Sequence, residues 1–554
     1  MTGRGRPLAL LLALCAAFFL TGTGDYTHFL RAESNFALGA RDMIEKGEYL
    51  LPHAAHEAPL NKPPLQYWLI GISYAVFGYS HGASRVPAAL CAIAVVALVY
   101  VLGCRMRDRF TGMTAGAVLA TSYIFWSFAR LAMPDVLFTL CLTATFACWM
   151  PVLAGEARRP AIWAHAGTAA MAIGFLTKGP LALALSAFPV LVLAAAERDL
   201  RPIARLRPVA GALVLLGVAG PYFLLVWARH GAEPLRNWFI NENLQRFTGA
   251  SYETFQVPVL FEIGALLGDF APWSLLLVAT ACAYRRLTAV SPGQRCRLIL
   301  LLGWVAAPIV FFSVSSFKLD YYFMTSLPAT ALLVALTPLD AQTGRAWPDR
   351  VATLATWTLL LLPPAVMAAT VPVVAANVPA SAMRWLPHAV ALATFVPAPV
   401  LMWRGSRSRV PLALCVHFWA AAMASYLVHV PAYGRLLPAD VLAGQVPAGS
   451  RVYTSRAADT WALDLSLYLP TVEPVGVLHD DTDHRRLAGI LRSDSRAVAV
   501  VYEGERRQLD ALGVRLRELA RAEANIRPQL TPASLWRPSV DVLSLVTAAP
   551  SPGN

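Results

Sequence analysis

Long apolar runs separated by short polar segments dominate the chain as far as about residue 430. Most runs are close to the length of about 20 residues that a helix needs to cross the hydrocarbon core of a bilayer. We therefore predict an α-helical polytopic membrane protein with thirteen spans, at residues 7–23, 84–103, 111–129, 134–154, 160–177, 180–197, 207–228, 263–284, 297–315, 323–340, 350–374, 385–403 and 409–430.

Two segments before the second span have different patterns. Residues 33–46 place apolar side chains at helical spacing and charges on another face, which predicts an amphipathic helix on the membrane surface. Residues 65–78 are apolar and aromatic but too short to span, so we predict a second helix, interfacial or partly buried, that starts after Pro63 and Pro64.

The last part of the chain alternates short apolar runs with polar helical stretches. Strands are predicted at 450–454, 496–503 and 541–547, and helices at 457–469, 481–493 and 504–523. We therefore predict a membrane domain over residues 1–436 and a soluble α/β domain over residues 437–554. The soluble part contains no motif that indicates a particular chemistry.

Composition and charge agree with a membrane protein and give an orientation. Hydrophobic residues make up 57% of the chain and charged residues 14%, against about 25% charged in an average soluble domain. The net charge of +13 comes from arginines in short loops between alternate spans, which argues against a nucleic-acid surface. By the positive-inside rule these loops and the N-terminus are cytoplasmic.

The odd number of spans then places the C-terminal domain on the outer face. The two long loops, about 24–84 and 229–262, are predicted to face the same side. The first apolar run resembles a signal peptide, but no clear small-residue cleavage site follows, so we expect an uncleaved first span.

Lysine is rare in this chain and lies only on the predicted outer face. Of 46 basic residues four are lysines, at positions 46, 62, 178 and 318. An ammonium group serves as a compact point charge for phosphate. For Lys62 the alternative is a lysine that snorkels at the membrane surface, and for Lys46 a helix end is the simpler interpretation.

Five outward-facing segments carry the candidate chemistry, and each alone has an ordinary structural explanation. Asp135 follows Pro134 at the start of a span, where a carboxylate is stabilised by the helix dipole, and Arg130 could simply pair with it. The segments that contain these groups read AESNFALGARDMIEKGEY, NKPPLQYW, ARLAMPDVLFT, FLTKGPLAL, NENLQRFTG and SSFKLDYYFMTSLPATALL, the first two lying in one loop.

In this order the segments resemble motifs of the integral-membrane C-type glycosyltransferases. Within that class they resemble the bacterial aminoarabinose transferases, which are related to protein O-mannosyltransferases. The resemblance covers roughly residues 24–340, and KPPLQYW is its most specific element. It implies transfer of a sugar from a polyprenyl (undecaprenyl) phosphate carrier to a lipid A-like glycolipid, another lipid or a protein, on the periplasmic face of the bacterial inner membrane.

The resemblance also implies roles for particular residues. A phosphate leaving group needs positive charge where negative charge develops, and Lys62, Arg246 and Lys318 are the candidates, with Tyr321 or Tyr322 as hydrogen-bond donors. A hydroxyl acceptor needs a carboxylate base. The candidates are Glu33 and Asp135, supported by Arg130, Lys178, Asp25 and Glu242. Direct displacement at the anomeric carbon would invert its configuration.

The first loop departs from the family pattern. The family's first acid corresponds to Ala32, and its Arg and Tyr correspond to Asn35 and Phe36. Glu33 remains, and Asp25 lies eight residues before it, so the base could have moved. An acceptor that is already anionic, such as a lipid phosphate, would need no base.

The metal positions of some relatives also differ here. An acid before KPP and a His in the second loop correspond to Asn61 and Asn243, which are poor ligands. We therefore predict no certain cofactor. A divalent metal on His53, His56 and Glu57 is the weaker alternative to a solvated loop.

Two other functions are compatible with the sequence. A polyprenyl-lipid transporter or flippase would need ionisable residues near the middle of its spans, and the predicted spans are nearly free of them. A noncatalytic relative that binds a polyprenyl lipid would be consistent with the missing first-loop acid.

Overall fold

The computed structural model describes most of the membrane region and about half of the C-terminal region. The described residues are 6–24, 33–52, 62–248, 260–282, 292–316, 319–337, 347–377, 382–404, 406–434, 442, 444–454, 472–474, 482–525 and 540–548.

Helices account for nearly all of the described membrane region. Those of the first half are α1 (Arg6–Leu20), α2 (Glu33–Lys46), α3 (Leu65–Phe77), α4 (His81–Met106), α5 (Arg109–Ala120), α6 (Tyr123–Phe128), α7 (Asp135–Leu153), α8 (Pro160–Lys178), α9 (Leu181–Glu197), α10 (Arg201–Arg205), α11 (Pro208–His230), α12 (Glu233–Arg236), a π-helix (Asn237–Gln245) and α13 (Arg246–Thr248).

Those of the second half are α14 (Leu260–Asp269), α15 (Ser274–Cys282), α16 (Pro292–Val314), a 3-10 helix (Asp320–Ser326), α17 (Leu327–Leu336), α18 (Trp347–Asn377), a 3-10 turn (Ala382–Trp385), α19 (Leu386–Phe395), α20 (Pro397–Trp403), a 3-10 turn (Arg407–Arg409) and α21 (Val410–Gly434).

Every predicted span overlaps one or more of these helices, and residues 283–284 and 338–340 of two spans lie outside the described residues. The two helices predicted before the second span are present as α2 and α3, and their interfacial position stays a prediction. Within the described ranges, six helices are long and apolar enough to cross a membrane: His81–Met106, Asp135–Leu153, Pro208–His230, Gly293–Val314, Arg350–Pro372 and Met383–Trp403. The chain is therefore a polytopic helical membrane protein.

Side-chain caps and small residues set where the first helices begin and how closely they pack. The Ser80 hydroxyl accepts a hydrogen bond from the backbone N–H of Ala83 at 3.1 Å and starts α4. Asp108 does the same for Thr111 at 2.7 Å and starts α5. These two helices cross at Gly103 and Gly112, where a β-carbon added to Gly103 would lie 2.6 Å from the Cα of Gly112.

Two apolar clusters hold the described helices together. The larger one includes residues of α1 to α9, of α14 to α18, and of α20 and α21. The smaller one joins Leu176 of α8 and Tyr222 of α11 to Trp238 of the π-helix. The π-helix, which belongs to the second long loop, is thereby fixed against the ends of two long helices.

The described part of the C-terminal region contains a five-stranded mixed sheet. Its strands are β1 (Arg451–Thr454), β2 (Val472–Pro474), β3 (Ala497–Tyr502), β4 (Leu516–Asn525) and β5 (Val540–Ala548), in the order β2-β1-β3-β5-β4. β1 is parallel to β2 and β3, whereas β5 is antiparallel to β3 and β4. Helices α22 (Thr482–Ser493) and α23 (Glu503–Ala511) accompany the strands.

One secondary-structure prediction in this region is wrong, and one falls on residues that are not described. The helix predicted over 504–523 ends at Ala511, and residues 516–525 form β4 instead. Gly513 has φ of +80°, which ends the helix, and pairing with β5 then overrides the helical propensity of the next residues. The helix predicted over 457–469 and the domain boundary near residue 437 lie outside the described residues.

The close crossing of α4 and α5 gives a first prediction. A β-carbon on Gly112 would lie 2.5 Å from the carbonyl oxygen of Tyr100, a backbone atom that cannot move alone. We expect Gly112→Ala to lower the free energy of unfolding in detergent by about 1–3 kcal/mol, because the two helices must separate.

The matched control is Gly217→Ala in α11, because a β-carbon there meets nothing within 4 Å. We expect this variant to melt at or slightly above the wild-type temperature. Equal melting temperatures for the two variants would contradict the tight crossing.

Candidate active site

One cavity of about 490 Å³ brings together most of the predicted site residues. Its walls come from α2, the start of α3, the α6–α7 and α8–α9 junctions, the π-helix with α13, the end of α16 and the 3-10 helix before α17. The predicted residues that line it are Lys62, Asp135, Lys178, Glu242, Arg246, Tyr321 and Tyr322.

Asp135 and Lys178 form a buried ion pair in this cavity. The Lys178 Nζ donates to Asp135 Oδ1 at 2.5 Å, and the two side chains are 11% and 4% exposed. Asp135 is the first residue of α7 and Lys178 the last of α8, so each charge also lies at the end of the helix dipole that stabilises it. The ammonium further lies 5.5 Å and 5.6 Å from the ring centres of Phe138 and Tyr322.

Glu242 joins the two basic residues predicted to bind phosphate. Its Oε2 accepts a hydrogen bond from Arg246 at 3.3 Å and lies 3.9 Å from the Lys62 Nζ. Glu242 belongs to the π-helix, a rare conformation that occurs frequently at functional sites. Among the described residues, the cavity wall thus has three basic and two acidic side chains, a net charge of +1.

The aromatic pair of the KPPLQYW motif fixes the position of Lys62. Tyr67 is buried against α2, with its ring centre 5.1 Å from that of Phe36. Trp68 turns to the other side, where it packs edge-on to Tyr222 and donates its indole N–H to the carbonyl of Tyr49 at 2.8 Å. The start of α3 is therefore held between α2 and α11.

Aromatic rings form the apolar part of the cavity wall. Phe312 stacks on Tyr322 with ring centres 4.4 Å apart, and Phe247 packs against Phe311 at 5.2 Å. The Tyr322 phenol also lines the cavity, and its hydroxyl can donate a hydrogen bond. An apolar wall beside fixed charges suits an amphiphilic ligand with an anionic head.

Glu33 is not among the residues that line this cavity, and its role as a base stays a prediction. Its carboxylate is fully buried and accepts two hydrogen bonds from Arg85, at 2.9 Å and 3.1 Å. It also accepts a hydrogen bond from the backbone N–H of Ala132 at 2.7 Å. Glu33 therefore ties α2 to α4 and to the turn that precedes Asp135.

Arg130 also has a different partner from the one considered in the sequence. Its guanidinium donates to the carbonyl oxygens of Phe18 and Thr21, at 2.6 Å and 2.5 Å, and so binds the C-terminal end of α1. Asp135 pairs with Lys178 instead.

Several predicted residues lie outside the part of the chain that the structure describes: Asp25, Ala32, His53, His56, Glu57, Asn61 and Lys318. Among the described residues no group of three His, Cys, Asp or Glu side chains could hold a metal ion. Asn243, the other family metal position, donates its side-chain amide to the carbonyl of Trp238 at 2.8 Å.

The sequence did not predict the buried partner Arg85, and it did not predict that Asn35 and Phe36 line the cavity. Arg85 is a charge within the predicted span 84–103, and a charge in an apolar span is itself a signal of a buried partner. Asn35 and Phe36 were noted only as departures from the family pattern, yet both line the cavity.

The Glu33–Arg85 pair gives a second prediction. Removal of one partner from a buried ion pair leaves an uncompensated charge, so we expect Glu33→Ala to lower the free energy of unfolding by about 3–5 kcal/mol. The control on the same helix is Glu45→Ala, whose side chain is 43% exposed in its pair with Arg41. That variant should change stability by about 1 kcal/mol or less. A Glu33→Gln protein that unfolds like wild type but has no activity would support the predicted role of Glu33 as a base.

Gly179 gives a third prediction, because it lies between the Lys178 ion pair and the π-helix. Its φ is +67°, and an added β-carbon would lie 2.6 Å from the ring of Trp238. Gly231 has a similar φ of +76° but open space around it. Both Gly→Ala variants force an alanine to adopt a positive φ, which is unfavourable in each case. We expect Gly179→Ala to lower the free energy of unfolding by about 1–3 kcal/mol more than Gly231→Ala does. Equal losses would show that the contact with Trp238 does not constrain this turn.

Known proteins are similar to this chain over about 60% of its length. Residues 61–227 match the family described as dolichyl-phosphate-mannose-protein mannosyltransferase. A protein of Sodalis glossinidius named undecaprenyl phosphate-alpha-4-amino-4-deoxy-L-arabinose arabinosyl transferase 2 is 30% identical over 60% of this chain and 59% of its own length. A Pseudomonas savastanoi pv. phaseolicola protein named as such an arabinosyl transferase is 31% identical over 60% of this chain and 62% of its own length. The chain thus spans about 60% of the length of these relatives.

Solved structures match over nearly the whole chain. A crystal structure of ArnT from Cupriavidus metallidurans bound to undecaprenyl phosphate has a TM-score of 0.75 and 21% identity, over 98% of both chains. The apo structure of ArnT from the same organism has a TM-score of 0.71, over 97% of both chains. The chain therefore shares the fold of ArnT and resembles the integral-membrane C-type glycosyltransferases of the aminoarabinose transferase type, as its outward-facing motifs predicted.

Proposed function

We propose that this chain is a glycosyltransferase that moves a sugar from a polyprenyl phosphate donor to a lipid or other envelope acceptor. The observation that carries the proposal is the single cavity in which Lys62, Arg246 and Lys178 meet Asp135 and Glu242. The names of the relatives, which contain undecaprenyl phosphate and aminoarabinose, support this donor class.

Lys62 and Arg246 are suited to hold the phosphate of the donor. Both contact the Oε2 atom of Glu242, and a carboxylate shared by two cations keeps them oriented until an anion binds. When the bond between the anomeric carbon and the phosphate oxygen breaks, negative charge grows on that oxygen, and fixed cations stabilise it. Lys318 is a further candidate for this role.

Asp135 is the carboxylate best suited to act on the acceptor. It lies in the cavity, whereas Glu33 is buried on Arg85. For a hydroxyl acceptor, Asp135 would take the proton while the oxygen attacks the anomeric carbon from the face opposite the phosphate, and the configuration would invert. For an acceptor that is already an anion, Lys178 and Asp135 would only orient the attacking oxygen.

The membrane arrangement is part of the proposal. Thirteen crossings, with the arginine-rich loops in the cytoplasm, place this cavity and the C-terminal region 437–554 on the periplasmic side of a bacterial inner membrane. A donor anchored by its polyprenyl chain would enter from the outer leaflet, with the aromatic wall of Phe247, Phe311 and Phe312 next to the first isoprene units.

The test is transfer by the purified full chain in liposomes that contain undecaprenyl phosphate-linked aminoarabinose and lipid A, with the product measured by mass spectrometry. We expect Asp135→Asn to lower the rate by about 100-fold or more, and Lys62→Ala and Arg246→Ala by about 10- to 1000-fold. Lys46→Ala is the matched control, because Lys46 is 60% exposed on the surface of α2 and should have no effect.

The outcomes separate the alternatives. Full activity of all three site variants would overturn the site assignment. Binding of undecaprenyl phosphate without turnover for this or any other tested sugar donor would favour a noncatalytic lipid-binding protein. Movement of labelled lipid across the liposome membrane without sugar transfer would favour a flippase.

A further inference from the structure

A second cavity lies at the opposite end of two helices that form the candidate active site. It has a volume of about 360 Å³, and its lining includes Met150 of α7 and Trp163 of α8. Asp135 and Lys178, the active-site ends of these helices, are each 15 residues away, which is about 22 Å of helix. This cavity therefore faces the other side of the membrane, the side that the arginine-rich loops predict to be cytoplasmic.

Three arginines and one carboxylate supply the charge of this cavity. Arg297 forms an ion pair with Glu156, and its side chain is only 14% exposed. Arg105 and Arg158 are exposed, and neither has a carboxylate within 4 Å among the described residues. Two guanidinium groups thus lie on the wall of a concave site whose described lining residues carry a net charge of +2.

Hydrogen bonds in the α7–α8 loop and a contact between Arg105 and Trp163 hold parts of the cavity wall in place. The carbonyl oxygen of Pro151 accepts the backbone N–H groups of Glu156 and Ala157, at 2.8 Å and 3.0 Å, and so folds the α7–α8 loop back over the end of α7. The Arg105 guanidinium lies 5.7 Å from the centre of the Trp163 ring, which supports it from one side and leaves its donors open. Less ordering of the Arg105 side chain is then needed when an anion binds.

The position in the membrane indicates the class of anion. Basic pockets between transmembrane helices on the cytoplasmic side bind the head groups of anionic lipids. Leu102, Met106 and Met150 supply an apolar wall next to the guanidinium groups, which suits a phosphate attached to acyl chains better than a free phosphate ion. A polar soluble anion would gain nothing from that wall.

We propose that this basic cavity, lined by Arg105, Arg158, Arg297 and Trp163, binds the phosphate head group of an anionic phospholipid in the cytoplasmic leaflet. The site is separate from the proposed donor site and does not depend on the transferase activity. The simpler alternative is that these arginines only fix the topology of the chain, in which case they would show no preference between lipids.

The test uses native mass spectrometry of the full chain with phosphatidylglycerol or phosphatidylcholine that carry the same acyl chains. Wild type should retain phosphatidylglycerol preferentially, and the double variant Arg105→Gln/Arg158→Gln should lower its affinity by about tenfold or more. Glu156→Gln should raise the affinity, because it removes the negative charge and releases Arg297. Arg404→Gln is the control, an exposed loop arginine on the same predicted face but outside the cavity.

Opposite shifts in the Arg and Glu156 variants, with equal melting temperatures and an unchanged control, would support the site. Equal retention of the two lipids by wild type, or the same retention by wild type and the double variant, would overturn it. A parallel titration with inorganic phosphate separates the two sources of the anion. Binding of inorganic phosphate alone, with no preference for phosphatidylglycerol, would overturn the lipid assignment.

Discussion

The architecture depends on the need of every charge removed from water to find a compensating partner. Glu33 and Arg85 satisfy each other across α2 and α4, and Asp135 and Lys178 do so across α7 and α8. Arg130 instead uses carbonyl oxygens at the end of α1. Each of these contacts joins segments that are distant in the sequence, so the charges also determine how the helices meet around the cavity.

The same requirement separates two acidic residues that look alike in the sequence. Both Glu33 and Asp135 belong to the family motifs, and each is the first residue of its helix, α2 or α7. Glu33 uses its oxygens on a guanidinium and a backbone N–H inside the protein, whereas Asp135 shares the cavity with a lysine ammonium. Only the second arrangement leaves the carboxylate on the wall of the cavity.

Much of the fold was predictable, because apolar periodicity is a local property of the chain. It placed the long helices and the two shorter helices α2 and α3, and the family motifs identified seven of the residues that line the cavity. Partner choice was not predictable, since Arg85 and Glu33 are 52 residues apart and nothing local pairs them. The prediction for the residues of β4 was wrong for the same reason, because their strand conformation comes from pairing with β5 and not from their own helical propensity. The π-helix around Glu242 gave no periodic signal.

The packed pair α7 and α8 has a further consequence for communication across the membrane. Both helices end at the candidate active site on one side and at the basic cavity on the other. Tightly packed helices move together, so a tilt that adjusts one end displaces the other. Any influence of an occupant of one cavity on binding at the other must then be mutual, because thermodynamic linkage makes the coupling free energy the same in both directions. The pair would thereby make lipid composition of one leaflet an input to events at the opposite surface.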